Sequence, residues 1–168
     1  MGVLDPDHLL EQAERLLSPA DGYPREVDRR RAISAAYYAV FHFILTAAAD
    51  SFAGAENRRS KNYALAYRSI DHRGLRDLCV HVQKSTLPPK YRRYMPLKGF
   101  LENIPAFATA FVELYEKRHE ADYDPRARVT VSSARLAIST ARDAISRFQR
   151  SAGFRRRAFL SLLLFPPR

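Results

Sequence analysis

The chain has 168 residues, of which 46% are hydrophobic and 27% charged, so it has the length of one domain and enough apolar material for a packed core. This composition excludes an intrinsically disordered chain, and a single cysteine, Cys79, excludes an intrachain disulfide. The formal net charge of +10 favours polyanions as partners, although solvated arginines on the backs of helices would give the same value.

The basic excess lies in the last two thirds of the chain. Residues 1–60 carry seven Lys or Arg against nine Asp or Glu, whereas residues 61–168 carry twenty-one against nine. Such a surface attracts RNA, DNA or nucleotides through counterion release and long-range steering.

The N-terminal segment Met1–Asp7 is acidic and interrupted by proline, unlike a signal peptide. The longest apolar run, Ala158–Phe165, is much shorter than the roughly 20 residues of a membrane-spanning helix. We therefore expect a cytoplasmic protein without a membrane span.

Every periodic segment has helical spacing and none alternates like a strand, so the sequence predicts an all-α protein. The first helix begins at Asp5-Pro6 and ends before Ser18-Pro19. A long central helix follows from about Val27 to Asp50. Ser51 to Ser60 is predicted to be a loop.

The second half of the chain predicts further helices around a basic loop. Lys61 to Lys84 favours two short helices or one kinked helix, with Asp71 as an N-cap inside the segment. Ser85 to Gly99 contains three prolines and is predicted to be an exposed, mobile loop. The last two helices run from an N-cap at Asn103 to about Tyr123 and from about Ser132 to Gly153.

These segments predict a bundle of about five helices that occupies residues 1–152 as a single domain. A basic and apolar tail follows over residues 153–168. Because an exposed apolar run is a liability, we expect the tail to dock on the bundle or on a second subunit. A membrane-surface contact and a non-native terminus are the alternatives.

Common enzyme signatures are absent from the sequence. It contains no glycine-rich phosphate loop, no Gly-x-Ser-x-Gly and no His-Glu-x-x-His. None of the five histidines forms a metal-ligand pair with another at a spacing of three or four. We expect neither a metal site nor a cofactor.

Polar residues interrupt the apolar helix faces at two places. Arg31, Ser34, Tyr38 and His42 form one stripe along the central helix; this stripe either lines a site or holds neighbouring helices in register. Arg118 continues an apolar stripe, and Asp122 follows one turn later, which suits either a structural ion pair or a phosphate-binding position. Two further pairs lie one turn apart, His119 with Tyr123 and Arg68 with His72.

Two strings in the sequence are similar to a known family. The string from Arg30 to His42, Arg-Arg-Ala-Ile-Ser-Ala-Ala-Tyr-Tyr-Ala-Val-Phe-His, resembles the long first core helix of HEPN domains (higher eukaryotes and prokaryotes nucleotide-binding). The string from Arg118 to Pro125, Arg-His-Glu-Ala-Asp-Tyr-Asp-Pro, resembles the polar motif near the end of a later helix of these domains. The resemblance covers about residues 9–148 in length and helix order.

The resemblance implies an up-and-down all-α helical bundle, HEPN-like, that is commonly dimeric and often belongs to a toxin–antitoxin or defence system beside a nucleotidyltransferase. Many HEPN domains are metal-independent endoribonucleases whose motif is an Arg, four to six residues and a His, with both copies facing one cleft. In this chain, four residues separate Arg118 from Tyr123, so a tyrosine stands where the motif would have its histidine.

We therefore expect a homodimeric HEPN-like module that binds RNA or a nucleotide in a basic cleft, with a nucleotidyltransferase antitoxin as a candidate partner. A metal-independent ribonuclease and a non-catalytic helical partner subunit are the alternatives. The candidate binding residues are Arg31, Tyr38, His42, Asp122, Lys90, Arg92 and Arg93, and the candidate catalytic residues are Arg118, His119, Tyr123, Arg68 and His72.

Overall fold

The computed structural model describes residues 4–84 and 87–168, in which it contains eight α-helices and no strand. The all-α prediction is confirmed, whereas the expected number of about five helices is too low. The helices are α1 (Pro6–Leu16), α2 (Glu26–Ala53), α3 (Lys61–Arg68), α4 (His72–Gln83), α5 (Pro89–Arg92), α6 (Asn103–Tyr123), α7 (Val131–Arg150) and α8 (Gly153–Leu164). A short 3-10 turn lies at Ala55–Asn57.

Several helix boundaries agree with the signals in the sequence. The Asp5 side chain caps α1 by accepting a 2.9 Å hydrogen bond from the Asp7 amide. The segment over residues 61–84 forms two separate helices, and Asp71 caps the second by accepting from the Gly74 amide at 2.6 Å. These caps work because the first amides of a helix have no partner within it.

Other boundaries differ from the prediction. Residues 51–53 extend α2 instead of starting a loop. Asn103 is the first residue of α6 rather than its cap, which is Glu102 without a side-chain capping bond. The proline-rich segment contains α5, where Tyr91 is buried; Ser85 and Thr86, which were expected to begin the loop, lie outside the described residues.

The central helix is α2, which packs against α1, α3, α6, α7 and α8. Because neighbours surround it, its apolar residues are not restricted to one face. By length and composition α2 is also the one helix in the described ranges that could cross a membrane, but most of its apolar window is buried inside the bundle. This property alone does not place the helix in a membrane.

The segment predicted as a tail forms α8, whose Phe159 is completely buried. The Phe159 ring meets Phe100 at 6.1 Å and both Phe107 and Phe148 at 5.8 Å between centroids. Residues 153–164 therefore supply part of the hydrophobic core.

Two adjacent arginines of α2 hold the loop between α6 and α7. Arg30 Nη1 donates to the carbonyls of Ala121 (2.8 Å) and Asp124 (2.9 Å), and Arg30 Nη2 donates to the carbonyl of Ala127. Arg29 Nε donates to the carbonyl of Val129. Since α6 has no basic residue in its last turn, Arg30 supplies the positive charge that the carboxyl end of a helix favours.

Candidate functional site

A guanidinium on α6 lies at the centre of a polar cluster. Arg118 Nη2 donates to Tyr38 Oη at 3.0 Å, and Nε lies 2.8 Å from Asp122 Oδ2. The Arg118 Cζ is 5.8, 5.5 and 5.4 Å from the ring centroids of Tyr37, Tyr38 and Tyr123. These distances are those of cation–π contacts. We refer to Ser34, Tyr37, Tyr38, His72, Arg118, Asp122 and Tyr123 as the Arg118 cluster.

The ion pair predicted from the spacing of Arg118 and Asp122 is present and largely withdrawn from solvent. The two side chains are 14% and 21% exposed. Ser34 Oγ donates to the other carboxylate oxygen of Asp122, so one residue of the predicted α2 stripe fixes the partner of Arg118. The Nε–H of Arg118 is buried and not aligned with an acceptor, so the pair is held by charge more than by hydrogen-bond direction.

Arg118 is charged in this setting. Burial lowers the pKa of its guanidinium, but Tyr38, Asp122 and Tyr123 outweigh burial and raise the pKa above its ordinary value. Burial is also the main reason why the pKa of the Tyr37 hydroxyl lies far above its usual range. The cluster therefore combines the Arg118 cation with a neutral Tyr37 hydroxyl.

His72 joins the cluster from the first position of α4. Its Nδ1 lies 2.7 Å from Tyr37 Oη, and its ring stacks on Phe41 at 3.9 Å. Burial, reinforced by the positive charge of Arg118, lowers the pKa of His72, which favours the neutral imidazole at pH 7. Arg118 and His72, which belong to separate pairs in the sequence, thus share the same two tyrosines of α2.

His42 extends this arrangement along α2. Its ring lies 6.1 Å from that of Tyr38, and its Nδ1 is 2.7 Å from Tyr67 Oη on α3. Burial and the neighbouring His72 lower the pKa of His42. The polar stripe of α2 is therefore continuous from Ser34 to His42 and contacts three other helices.

Three predicted residues of α2, α3 and α6 lie outside the Arg118 cluster. Arg31 and Arg68 are exposed, and neither forms an ion pair or hydrogen bond with any described residue. His119 is exposed on a different face of α6, where its ring lies 5.6 Å from Tyr115 and 4.9 Å from Tyr123. Tyr123 is thus the side chain that touches both Arg118 and His119.

The structure does not bring Lys90, Arg92 and Arg93 to the Arg118 cluster. These residues lie in and just after α5, beyond the carboxyl end of α4, whereas His72 begins α4. Helix α4 has 12 residues and is therefore about 18 Å long. Gln83, at its far end, donates to the carbonyl of Ala108 near the start of α6. The predicted binding residues thus occupy two ends of the bundle.

Sequence reasoning missed several contributors to the site. Tyr37 was indistinguishable from a core aromatic residue because it lies on the apolar stripe of α2. Nothing in the sequence around Tyr67 indicates that its hydroxyl contacts His42. Arg30 stands next to the predicted Arg31, but only the fold reveals that Arg30 points to α6 while Arg31 faces solvent.

Within residues 4–84 and 87–168, no group of three or more His, Cys, Asp or Glu side chains is placed to hold a metal ion. Comparison with family models gives no match. A search of curated proteins finds no similar protein, and a search of solved structures finds no similar structure.

Proposed function

We propose that this protein is a HEPN-like module that binds RNA or a nucleotide through a phosphate group at the Arg118 cluster. The observation that carries the proposal is the arrangement of one guanidinium. Asp122 and Tyr38 fix Arg118 on two sides, through Nε and Nη2, while Nη1 makes no hydrogen bond to a described residue. Guanidinium N–H groups that are positioned in advance are well suited to phosphate oxygens.

The same geometry suggests how a ligand approaches. Asp122 repels a phosphate on its own side of Arg118, so the favourable approach is along Nη1. The ring of Tyr123 is exposed and lies against Arg118. An aromatic face in that position can stack on a base while the guanidinium contacts the adjacent phosphate.

Titration of a fluorescent single-stranded RNA tests this proposal. We expect Arg118→Gln to weaken binding at least tenfold, since a hydrogen bond to a charged group contributes about 1.5–3 kcal/mol. Arg135→Gln is the matched control, because Arg135 is an exposed arginine in the groove between α1 and α7. Equal affinities of both variants, or no binding by the wild type, would contradict the proposal.

A metal-independent ribonuclease is a second candidate, favoured by the contact of Arg118 and His72 with the same tyrosines. In the tautomer in which His72 Nδ1–H donates to Tyr37 Oη, Nε2 can accept a proton. It could then take the proton of a ribose 2′-hydroxyl. The 2′-oxygen attacks the adjacent phosphorus, and the bond to the 5′-oxygen breaks as that oxygen takes a proton from water. Arg118 would stabilise the charge on the phosphorane.

Incubation of the protein with a mixed structured RNA in EDTA distinguishes the two functions. Cleavage by the wild type that is lost in His72→Asn but kept in His119→Asn would support the ribonuclease. A gel shift without cleavage would support the binding module. If RNA is neither bound nor cleaved, the remaining interpretation is a helical partner subunit whose polar stripes only pack.

We also propose, from the resemblance to HEPN domains, that the protein works in the cytoplasm as a homodimer and that its partner is a nucleotidyltransferase antitoxin. Light scattering coupled to size-exclusion chromatography tests the dimer. A protein that stays monomeric at concentrations well above its Kd for RNA would contradict the proposed dimer.

A further inference from the structure

The end of the bundle opposite the Arg118 cluster carries a concentrated positive charge. Residues 84–101 contain five Lys or Arg and residues 144–168 contain six, and neither segment contains an Asp or Glu. We call this surface the basic end. Its members are Lys90, Arg92, Arg93, Lys98, Arg155, Arg156 and Arg157. No ion pair joins any of these side chains to an acidic residue in the described ranges.

Contacts between the two segments show that they form one surface. Arg155 Nε donates to the carbonyl of Gly99 at 3.1 Å. Beside it, the ring of Phe100 packs on that of Phe159 in α8. The loop before α6 and the beginning of α8 are therefore held together, and Arg155 lies against the residue that follows Lys98.

Large apolar side chains project from the same surface. Leu97 is fully exposed, and Tyr94, Leu101 and Phe154 are each more than half exposed. Leu101 also has a positive φ of 54°, which is unfavourable for a bulky side chain. The structure gives these side chains no apolar neighbour that would remove them from water, although the rest of the bundle is well packed.

We propose that the basic end binds the surface of a membrane that contains anionic lipids. Its cations would contact the headgroups, while Leu97 and Tyr94 enter the boundary between headgroups and acyl chains. A nucleic acid would use the positive charge and stack on Tyr94, but it would leave Leu97 and Leu101 in water. Lipid accounts for both the charge and the exposed aliphatic groups.

This function is independent of the proposed RNA site, because the two surfaces lie at opposite ends of α4 and α6. The Glu102 carboxylate, at the start of α6, is the acidic group nearest in sequence to the exposed leucines. It borders the basic end and does not cancel its charge, which comes from seven side chains.

Co-sedimentation of the full chain with phosphatidylcholine vesicles, with and without phosphatidylglycerol, tests the proposal. We expect binding only to the anionic vesicles. The double variant Arg93→Ser/Lys98→Ser should bind them about 25-fold more weakly, from about 1 kcal/mol for each cation. Leu97→Ser should reduce binding about tenfold.

Two matched controls separate a specific surface from general stickiness. Leu65→Ser removes an exposed leucine of α3, and Arg73→Ser/Arg126→Ser removes two highly exposed arginines elsewhere. Both should bind anionic vesicles like the wild type. All altered side chains are exposed, so unchanged thermal unfolding should accompany each substitution.

Three results would overturn the proposal. One is equal binding to neutral and anionic vesicles, and another is equal loss in the control variants. The third is absence of vesicle binding together with weaker RNA binding in Arg93→Ser/Lys98→Ser, which would make the basic end a nucleic-acid surface. None of these results affects the comparison of Arg118→Gln with Arg135→Gln, so the two proposals can fail separately.

Discussion

Replacement of Arg30 by alanine should destabilise the protein strongly, because one guanidinium closes the end of α6 and holds the loop that follows. Arg30 donates to three carbonyls, those of Ala121, Asp124 and Ala127. It also pairs with Glu26 through Nε at 3.1 Å. The substitution leaves these carbonyls without their charged donor.

The magnitude follows from the number and the exposure of these bonds. A hydrogen bond to a charged group contributes about 1.5–3 kcal/mol when buried. Because the contributions of neighbouring bonds do not add in full, the three bonds together contribute less than the sum of their separate values. The Arg30 side chain is 19% exposed, so in the variant water can hydrogen-bond some of the carbonyls that Arg30 leaves. We expect the free energy of unfolding to fall by about 3 kcal/mol.

Urea unfolding followed by circular dichroism measures this difference. Arg31→Ala is the control, since Arg31 is the adjacent residue, exposed and without a polar contact among the described residues; it should change the free energy of unfolding by less than about 0.5 kcal/mol. The free energy of unfolding of Arg30→Lys should lie between those of the two alanine variants, because an ammonium group lacks the planar fork of a guanidinium. If Arg30→Ala and Arg31→Ala prove equally stable, the assignment of Arg30 as the clamp on α6 is wrong.

Three further predictions follow from buried side chains. Burial holds the pKa values of His42 and His72 below the ordinary 6.5, so as the pH falls the unfolded chain takes up protons before the folded protein does. The free energy of unfolding should therefore be steady above about pH 7 and decrease as the pH falls through about 6.5. The decrease should be less steep in the double variant His42→Gln/His72→Gln. Cys79 is completely buried and burial raises its pKa, so a thiol reagent should label the native protein only as fast as the protein unfolds. Immediate labelling without urea would contradict this packing. Phe159→Ala should cost about 3–5 kcal/mol in urea unfolding, whereas exposed Ser161→Ala in the same helix should cost almost nothing.

The sequence predicted those features that depend on near neighbours. Asp71 caps α4 because its carboxylate needs only the Gly74 amide, three residues away. The Arg118–Asp122 pair was predictable because a helix places residues four apart on one face. The range of α6 was marked by the helix-ending Asp124-Pro125.

Features that depend on distant partners could not be predicted. Arg30 and the carbonyl of Ala121 are 91 residues apart, and Tyr38 and Arg118 are 80 apart. No local pattern indicates such contacts. The number of helices was underestimated partly because the apolar residues of α8 surround the helix, so it lacks the polar face by which an amphipathic helix is identified.

The packing of α8 has a consequence for folding during synthesis. The chain up to residue 152 already contains α1 to α7, yet the faces of Phe107 and Phe148 that meet Phe159 have no partner until α8 follows. During that interval the nascent bundle exposes aromatic surface that favours association with other chains. The arginines at positions 155–157 precede Phe159, so charge emerges just before the apolar segment and keeps neighbouring chains apart while the core closes.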